Sequence, residues 1–152
     1  MTIRSLDKKD FQSWLILRRE LWPECPKADH NSEMTMWSQN QNRFPVFGAF
    51  VDDELGGFLE ASVGENINVP GMTCVFYIEG LYVSKTFRRR GISRKLIEAA
   101  GEAAKVRGME ALYSDTEITN VTSAFVHGKE GFIELVRSGS EIIFKKDLYK
   151  EA

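Results

Sequence analysis

One feature at the centre of the chain restricts its fold most. Residues 74–83 are rich in Val, Ile, Phe and Tyr and read as a buried strand. Arg88, Arg89, Arg90, Gly91, Ile92 and Ser93 follow; then Ile92, Leu96, Ala100 and Ala103 recur at helical spacing to about 107, and Gly108 supplies a C-terminal stop. A strand that turns through a glycine into a helix converges backbone N–H groups on one point, and the helix dipole makes that point attractive to anions. Gly91 allows close backbone approach, and arginine suits phosphate. A solvated basic cap would have the same local composition; the strand before the turn and the helix after it favour the anion site. No Gly-Lys-Ser/Thr follows, so the turn is not a Walker loop.

The remaining segments predict a mixed α/β chain. Residues 2–5 read as a short edge strand. Asp7 reads as an N-cap with Asp10 three positions on, opening a helix over 8–21 with Phe11, Trp14, Leu15, Leu21 and Trp22 at helical spacing. Pro23 and Pro26 end it. A second helix is expected over 31–42, capped near Asn31 or Ser32. Strands over 45–51 and 55–63 flank the turn-forming cluster Asp52, Asp53 and Glu54 as a hairpin. Residues 65–71 form a loop. Gly80 inside the central strand marks a bulge or a close backbone approach. A strand over 111–114, a helix over 120–129 and strands over 132–136 and 141–146 complete the order β-α-α-β-β-β-α-β-α-β-β, with 137–141 read as a long turn.

Length and charge narrow the function classes. At 152 residues the chain is expected to form a single domain over 1–152. A net charge of −2 argues against a general nucleic-acid binder, which needs excess positive charge to displace counterions. No stretch reads as a secretory signal or as a membrane span, and Cys25 and Cys74 lack metal-ligand spacing. The expectation is therefore a cytoplasmic protein without membrane association, disulfide or metal. Glu79 interrupts an apolar strand, which makes it a candidate functional carboxylate. Asp115 ends a short parallel strand, where open α/β sheets place ligands.

The central turn resembles motif A of the GNAT N-acetyltransferases, with Ser93 where Gly or Ala is usual. Asn120, Ser123, Val126, His127, Lys129, Gly131 and Phe132 resemble motif B of the same family. The resemblance implies the GNAT fold: a mixed sheet of about six to seven strands, splayed at its central strands and flanked by about four helices. It implies acetyl-coenzyme A as cosubstrate, held by Leu81, Tyr82 and Val83, by Arg88, Arg89, Arg90, Gly91, Ile92, Ser93 and Arg94, and by Asn120. Catalysis would fall to Glu79 as base, with Asp115 as the second candidate. His127 stands where many relatives carry a tyrosine that protonates the leaving thiolate; simple packing of its ring is the other reading.

Leu21-Trp22-Pro23, Asp29-His30, Glu79-Gly80 and Ser114-Asp115-Thr116 further resemble bacterial aminoglycoside 6′-N-acetyltransferases. That resemblance implies a polycationic acceptor bound by Trp22, Asn66, Glu79 and Asp115, and a homodimer through the C-terminal strands. Asn66 lies in the loop where relatives often carry a substrate-stacking aromatic residue. Val136 stands near a position where they carry an acid, a charge that Glu134 or Glu141 would restore. Two alternatives stay open: acetylation of another small amine (a polyamine, an amino sugar or a peptide amine), and acetyl-CoA binding without catalysis.

Overall fold

The computed structural model describes residues 1–149. Seven strands and four helices run in the expected order: β1 (Thr2–Ser5), α1 (Phe11–Leu21), α2 (Lys27–Gln39), β2 (Val46–Val51), β3 (Glu54–Gly64), β4 (Val75–Val83), α3 (Ile92–Val106), β5 (Ala111–Glu117), α4 (Val121–Lys129), β6 (Ile133–Ser138) and β7 (Glu141–Asp147). The strands form one sheet in the order β1-β2-β3-β4-β5-β7-β6. Contacts group the residues into two compact units, Met1–Ala61 with Gly80–Ala100, and Ser62–Glu79 with Gly101 onward.

In the first unit, the Asp7 side chain accepts from Lys9 N–H while Asp10 accepts from Asp7 N–H, closing the expected capping box. Residues 8–10 form a 3-10 turn, and the α-helix proper begins at Phe11. Asp52 and Asp53 take positive φ angles of 51° and 64°, as a two-residue hairpin loop between β2 and β3 requires. Helix α2 starts four residues before the expected position. Pro26 opens it, with Asp29 N–H and His30 N–H bonded to the Pro26 carbonyl. Ser32 and Thr35 turn their hydroxyls back onto carbonyls one turn earlier, Ala28 and Asn31, instead of capping. The helix also stops at Gln39, short of 42. Trp14, Leu15, Leu17, Met34, Trp37, Val46, Leu55 and Phe58 make the core.

Two charges are buried in that core. Arg18 is 1% exposed and Glu60 0%. Glu60 receives Arg18 Nε–H at 2.7 Å and Trp14 Nε1–H at 2.8 Å, and a second Arg18 nitrogen reaches it at 3.2 Å. Arg18 also bonds Glu33 at 2.6 Å and His30 Nδ1 at 3.0 Å. Burial pushes the Glu60 carboxyl up and the Arg18 ion pair opposes it. Three N–H donors converging on one carboxyl are the environment of a carboxylate.

In the second unit, β5 is longer than expected. It pairs with β7 from Ala111↔Asp147 to Glu117↔Glu141, so Asp115 lies inside the strand instead of at its end. The stretch 137–141 is a tight turn, because Arg137 and Ser138 remain paired to β7 and only Gly139 and Ser140 connect the strands. The parallel ladder between β4 and β5 comprises Phe76↔Leu112 and Tyr77↔Tyr113 among the described residues, which is short for a nine-residue strand. Val69, Val75, Tyr77, Ala111 and Tyr113 form a buried cluster.

Candidate active site

The basic turn has the backbone its composition implied. Arg89 and Gly91 take positive φ angles of 66° and 75°, and Ile92, 2% exposed, anchors the start of α3. The helix's first bond runs from Lys95 N–H to the Gly91 carbonyl, so the amides of Ile92 and Ser93 precede any intrahelical acceptor. Arg88, Arg89 and Arg90 are exposed. Arg88 donates back to the Val83 carbonyl at 3.1 Å, and Arg90 lies 5.3 Å over the Phe87 ring. The arrangement presents donors, positive charge and a helix N-terminus to solvent together.

Leu81, Tyr82 and Val83 precede this turn on β4 and are half-buried, and the Tyr82 hydroxyl donates to Glu20 at 2.9 Å. Gly80 meets the close-approach expectation. The reason for glycine is close approach: a Cβ there would stand 2.6 Å from Trp22 Cη2. Trp22 is held by a stacked His30 ring at 6.5 Å, an edge contact with Phe58 at 6.4 Å and the Arg18 guanidinium 4.8 Å over its face. It is half-buried, so part of the indole is packed and part remains accessible. Gly80→Ala should therefore destabilise the chain by ~1–3 kcal/mol through overpacking. A urea unfolding midpoint equal to that of the parent would contradict this contact.

In the second unit, Glu79 and Asp115 come together with residues the sequence did not single out. Because the rung Tyr77↔Tyr113 sets the register, Tyr77 and Glu79 on β4 share a face with Tyr113 and Asp115 on β5. The Ser62 hydroxyl donates to Glu79 Oε1 at 3.0 Å. Partial withdrawal from water raises the Glu79 carboxyl above the usual range; Asp115 adds to this and Ser62 opposes it. The Tyr77 hydroxyl donates to Asp115 Oδ2, and Asn68 Nδ2 donates to the Tyr77 oxygen at 3.1 Å. Glu141 lies diagonally across the β5–β7 ladder from Asp115, whose charge raises its pKa. Of the two acids offered in place of Val136, Glu141 is therefore beside Asp115, while Glu134 is paired with Arg137 at 2.6 Å.

His127 lies on the other face of β5. Its Nε2 is 3.0 Å from the Ser114 hydroxyl, and Ser114 alternates with Asp115 along the strand. Nδ1 is 2.7 Å from the Ser123 carbonyl, so it carries the hydrogen. The ring stacks on Phe144 at 4.4 Å, and burial lowers its pKa. Both nitrogens are thus occupied in a neutral imidazole, the geometry of a packed histidine. Asn120 caps α4, its Oδ1 accepting from Ser123 N–H at 3.0 Å; its amide nitrogen carries two further donors. Asn66 Oδ1 accepts from Asn68 N–H at 2.9 Å and so shapes its own loop.

One cluster was invisible to spacing arguments. Ligand atoms of Cys25, His30 and Glu33 lie within 4.8 Å of one another. Arg18, however, donates to both Glu33 and His30 Nδ1, and His30 Nε2 is 3.3 Å from the Trp22 carbonyl. A guanidinium already occupies the position a cation would need. No helix among the described residues is long and apolar enough to cross a membrane.

The model of the acetyltransferase (GNAT) family matches residues 11–132. Aminoglycoside N(6′)-acetyltransferase type 1 of Klebsiella aerogenes is 32% identical over 138 residues, 89% of this chain and 91% of the relative. The enzyme of the same name from Serratia marcescens is 31% identical over 86% of this chain and 90% of the relative. Among solved structures, AAC(6′)-Iy in complex with the bisubstrate analogue CoA-S-monomethyl-acetylneamine superposes with a TM-score of 0.84 at 31% identity, covering 91% of this chain and 94% of that one. The chain carrying this basic turn and this pair of carboxylates belongs to the acetyltransferase (GNAT) family.

Proposed function

We propose that the chain transfers the acetyl group of acetyl-CoA to the 6′-amino group of aminoglycosides, as one acetyltransferase domain over 1–152; residues 150–152 lie outside those described. The observation that carries the reading is the Glu79–Asp115 cluster, an anionic site built where β4 and β5 pair. The relatives named above bear on the acceptor, and the bisubstrate complex of one of them bears on the cosubstrate.

In this reading the turn Arg88–Arg94, with Asn120, holds the coenzyme's phosphates and arm, and backbone N–H groups of Leu81–Val83 receive the thioester carbonyl. Glu79 takes a proton from the acceptor ammonium, directly or through water. The free amine attacks the thioester carbon; the C–N bond forms, the C–S bond breaks, and the thiolate leaves to be protonated. His127 buttresses β5 instead of supplying that proton, because its Nδ1–H is committed to the Ser123 carbonyl. Trp22 offers its accessible indole face for stacking on a sugar ring, Asn66 acts by shaping its loop, and Asp115 and Glu141 attract the other ammonium groups. No cysteine nucleophile takes part, and no metal is required.

We further place the protein in the cytoplasm as a homodimer. Strand β6 is at the sheet edge with all six residues exposed, including Ile133, Leu135 and Val136. An exposed apolar edge favours pairing with a second copy. Sedimentation equilibrium should give twice the 17.3 kDa chain mass, and Leu135→Arg should shift it toward the monomer.

The acceptor is tested by thiol release from acetyl-CoA with kanamycin, tobramycin, spermidine and a peptide amine. Release with the two antibiotics and background rates with the others is the expected pattern. Release with spermidine or the peptide alone would retain the acetyltransferase and remove the aminoglycoside.

A further inference from the structure

Strand β4 carries one fully buried polar group that the reaction above leaves unused. Tyr77 is 1% exposed and belongs to a cluster of Val69, Val75, Ala111 and Tyr113. Packing there would be served equally well by phenylalanine, and a buried phenol oxygen needs partners. It has two. Asn68 Nδ2 donates to it at 3.1 Å, and its own single proton goes to Asp115 Oδ2. Because the Asn68 amide nitrogen can only donate, the direction of the second bond is fixed.

Asn68 is itself held. Its backbone N–H is taken by Asn66 Oδ1 at 2.9 Å, and the next residue, Val69, is 5% exposed and bonded through its N–H to the Asn66 carbonyl. A continuous line of hydrogen bonds thus runs Asn66, Asn68, Tyr77, Asp115. Burial and the Asp115 charge both raise the Tyr77 pKa, so the donor keeps its proton. Glu141, diagonal to Asp115 on β7, is a second carboxyl whose pKa Asp115 raises through its charge and a hydrogen bond, so Asp115 has competing partners and its orientation needs a fixed donor.

We propose that Tyr77 is a positioning residue: its hydroxyl, set from behind by Asn68, holds Asp115 in the orientation that receives the cationic acceptor. This rests on the acceptor reading above. The role is distinct from that of Glu79, which meets the reacting nitrogen. It also gives the loop around Asn66 a means of acting on the acceptor site without touching the acceptor.

The test is a double-mutant cycle in the intact protein. Tyr77→Phe should lower kcat/KM for the amine about ten-fold, the cost of one hydrogen bond to a charged group, mainly through the amine KM. The KM for acetyl-CoA should not move. In an Asp115→Asn background the same substitution should change amine kcat/KM less than two-fold, because the negative charge that Tyr77 orients toward the amine is gone. Unchanged amine kinetics in Tyr77→Phe, or full additivity with Asp115→Asn, would overturn the proposal. Should Tyr77→Phe fold poorly by thermal unfolding, Asn68→Ala decides: a raised amine KM with an unchanged acetyl-CoA KM supports it, and parental kinetics overturn it. The cycle uses whichever amine of the panel the parent acetylates. A parent inert toward kanamycin and tobramycin defeats the aminoglycoside reading; an active parent with an indifferent Tyr77→Phe defeats only this inference.

Discussion

Glu79→Gln should lower kcat/KM for the amine by ~10²–10⁴-fold, the usual contribution of a positioned general base. Glutamine keeps the shape and can still accept from Ser62, so the loss reports the proton acceptor and not the packing. The pH profile supplies a second readout. Partial desolvation and Asp115 raise the Glu79 pKa, so protonation on acidification begins at a higher pH than for an ordinary glutamate. The acid limb of kcat/KM should accordingly lie above the usual carboxylate range in the parent and disappear in the variant. Acetyl-CoA affinity, measured by calorimetry, should be unchanged. A variant within three-fold of the parent would remove Glu79 from the reaction.

The largest effect on stability should come from Glu60→Ala. It strands the Arg18 guanidinium, 1% exposed, without its main partner; Glu33 remains but is at the surface. Breaking a buried ion pair from one side typically costs ~3–5 kcal/mol. For a chain of this size that corresponds to a melting midpoint lowered by roughly 10 °C or more. The double replacement Arg18→Met with Glu60→Leu removes both charges and should be far milder than the single change. Calorimetric melting of the parent and these two variants checks this, and a near-parental midpoint for Glu60→Ala would show that the pair contributes little.

Elements with local chemical signatures were legible in the sequence. The capping box at Asp7, the Asp52–Asp53 hairpin, the turn through Gly91 and the stop at Gly108 each depend on a few adjacent residues, and each is found. Boundaries set by distant partners were not. Strand β5 extends to Glu117 because β7 supplies rungs that far, and α2 begins at Lys27 because Pro26 starts it and His30, Met34 and Trp37 bury one side. Glu79 stood out because a charge interrupts an apolar run. Tyr77 did not, since a tyrosine in such a run looks like core, which it also is. Its signal was the hydroxyl itself, which had to find an acceptor. Nor did spacing reveal that His127 and Asp115 lie on opposite faces of β5; that follows from the register of a strand longer than expected.

The polar knot around Glu60 also bears on how such a protein can change. It ties α1 through Arg18, α2 through His30 and Glu33, and β3 through Glu60 into one set of directional bonds. Sliding either helix by a turn would abandon a buried charge. Selection for a new amine therefore has little room to move this scaffold, and its accessible routes are point exchanges in the loop around Asn66 and in the hairpin that bears Glu141. Variation among close homologues should concentrate in those two segments, with Arg18 and Glu60 retained or lost together.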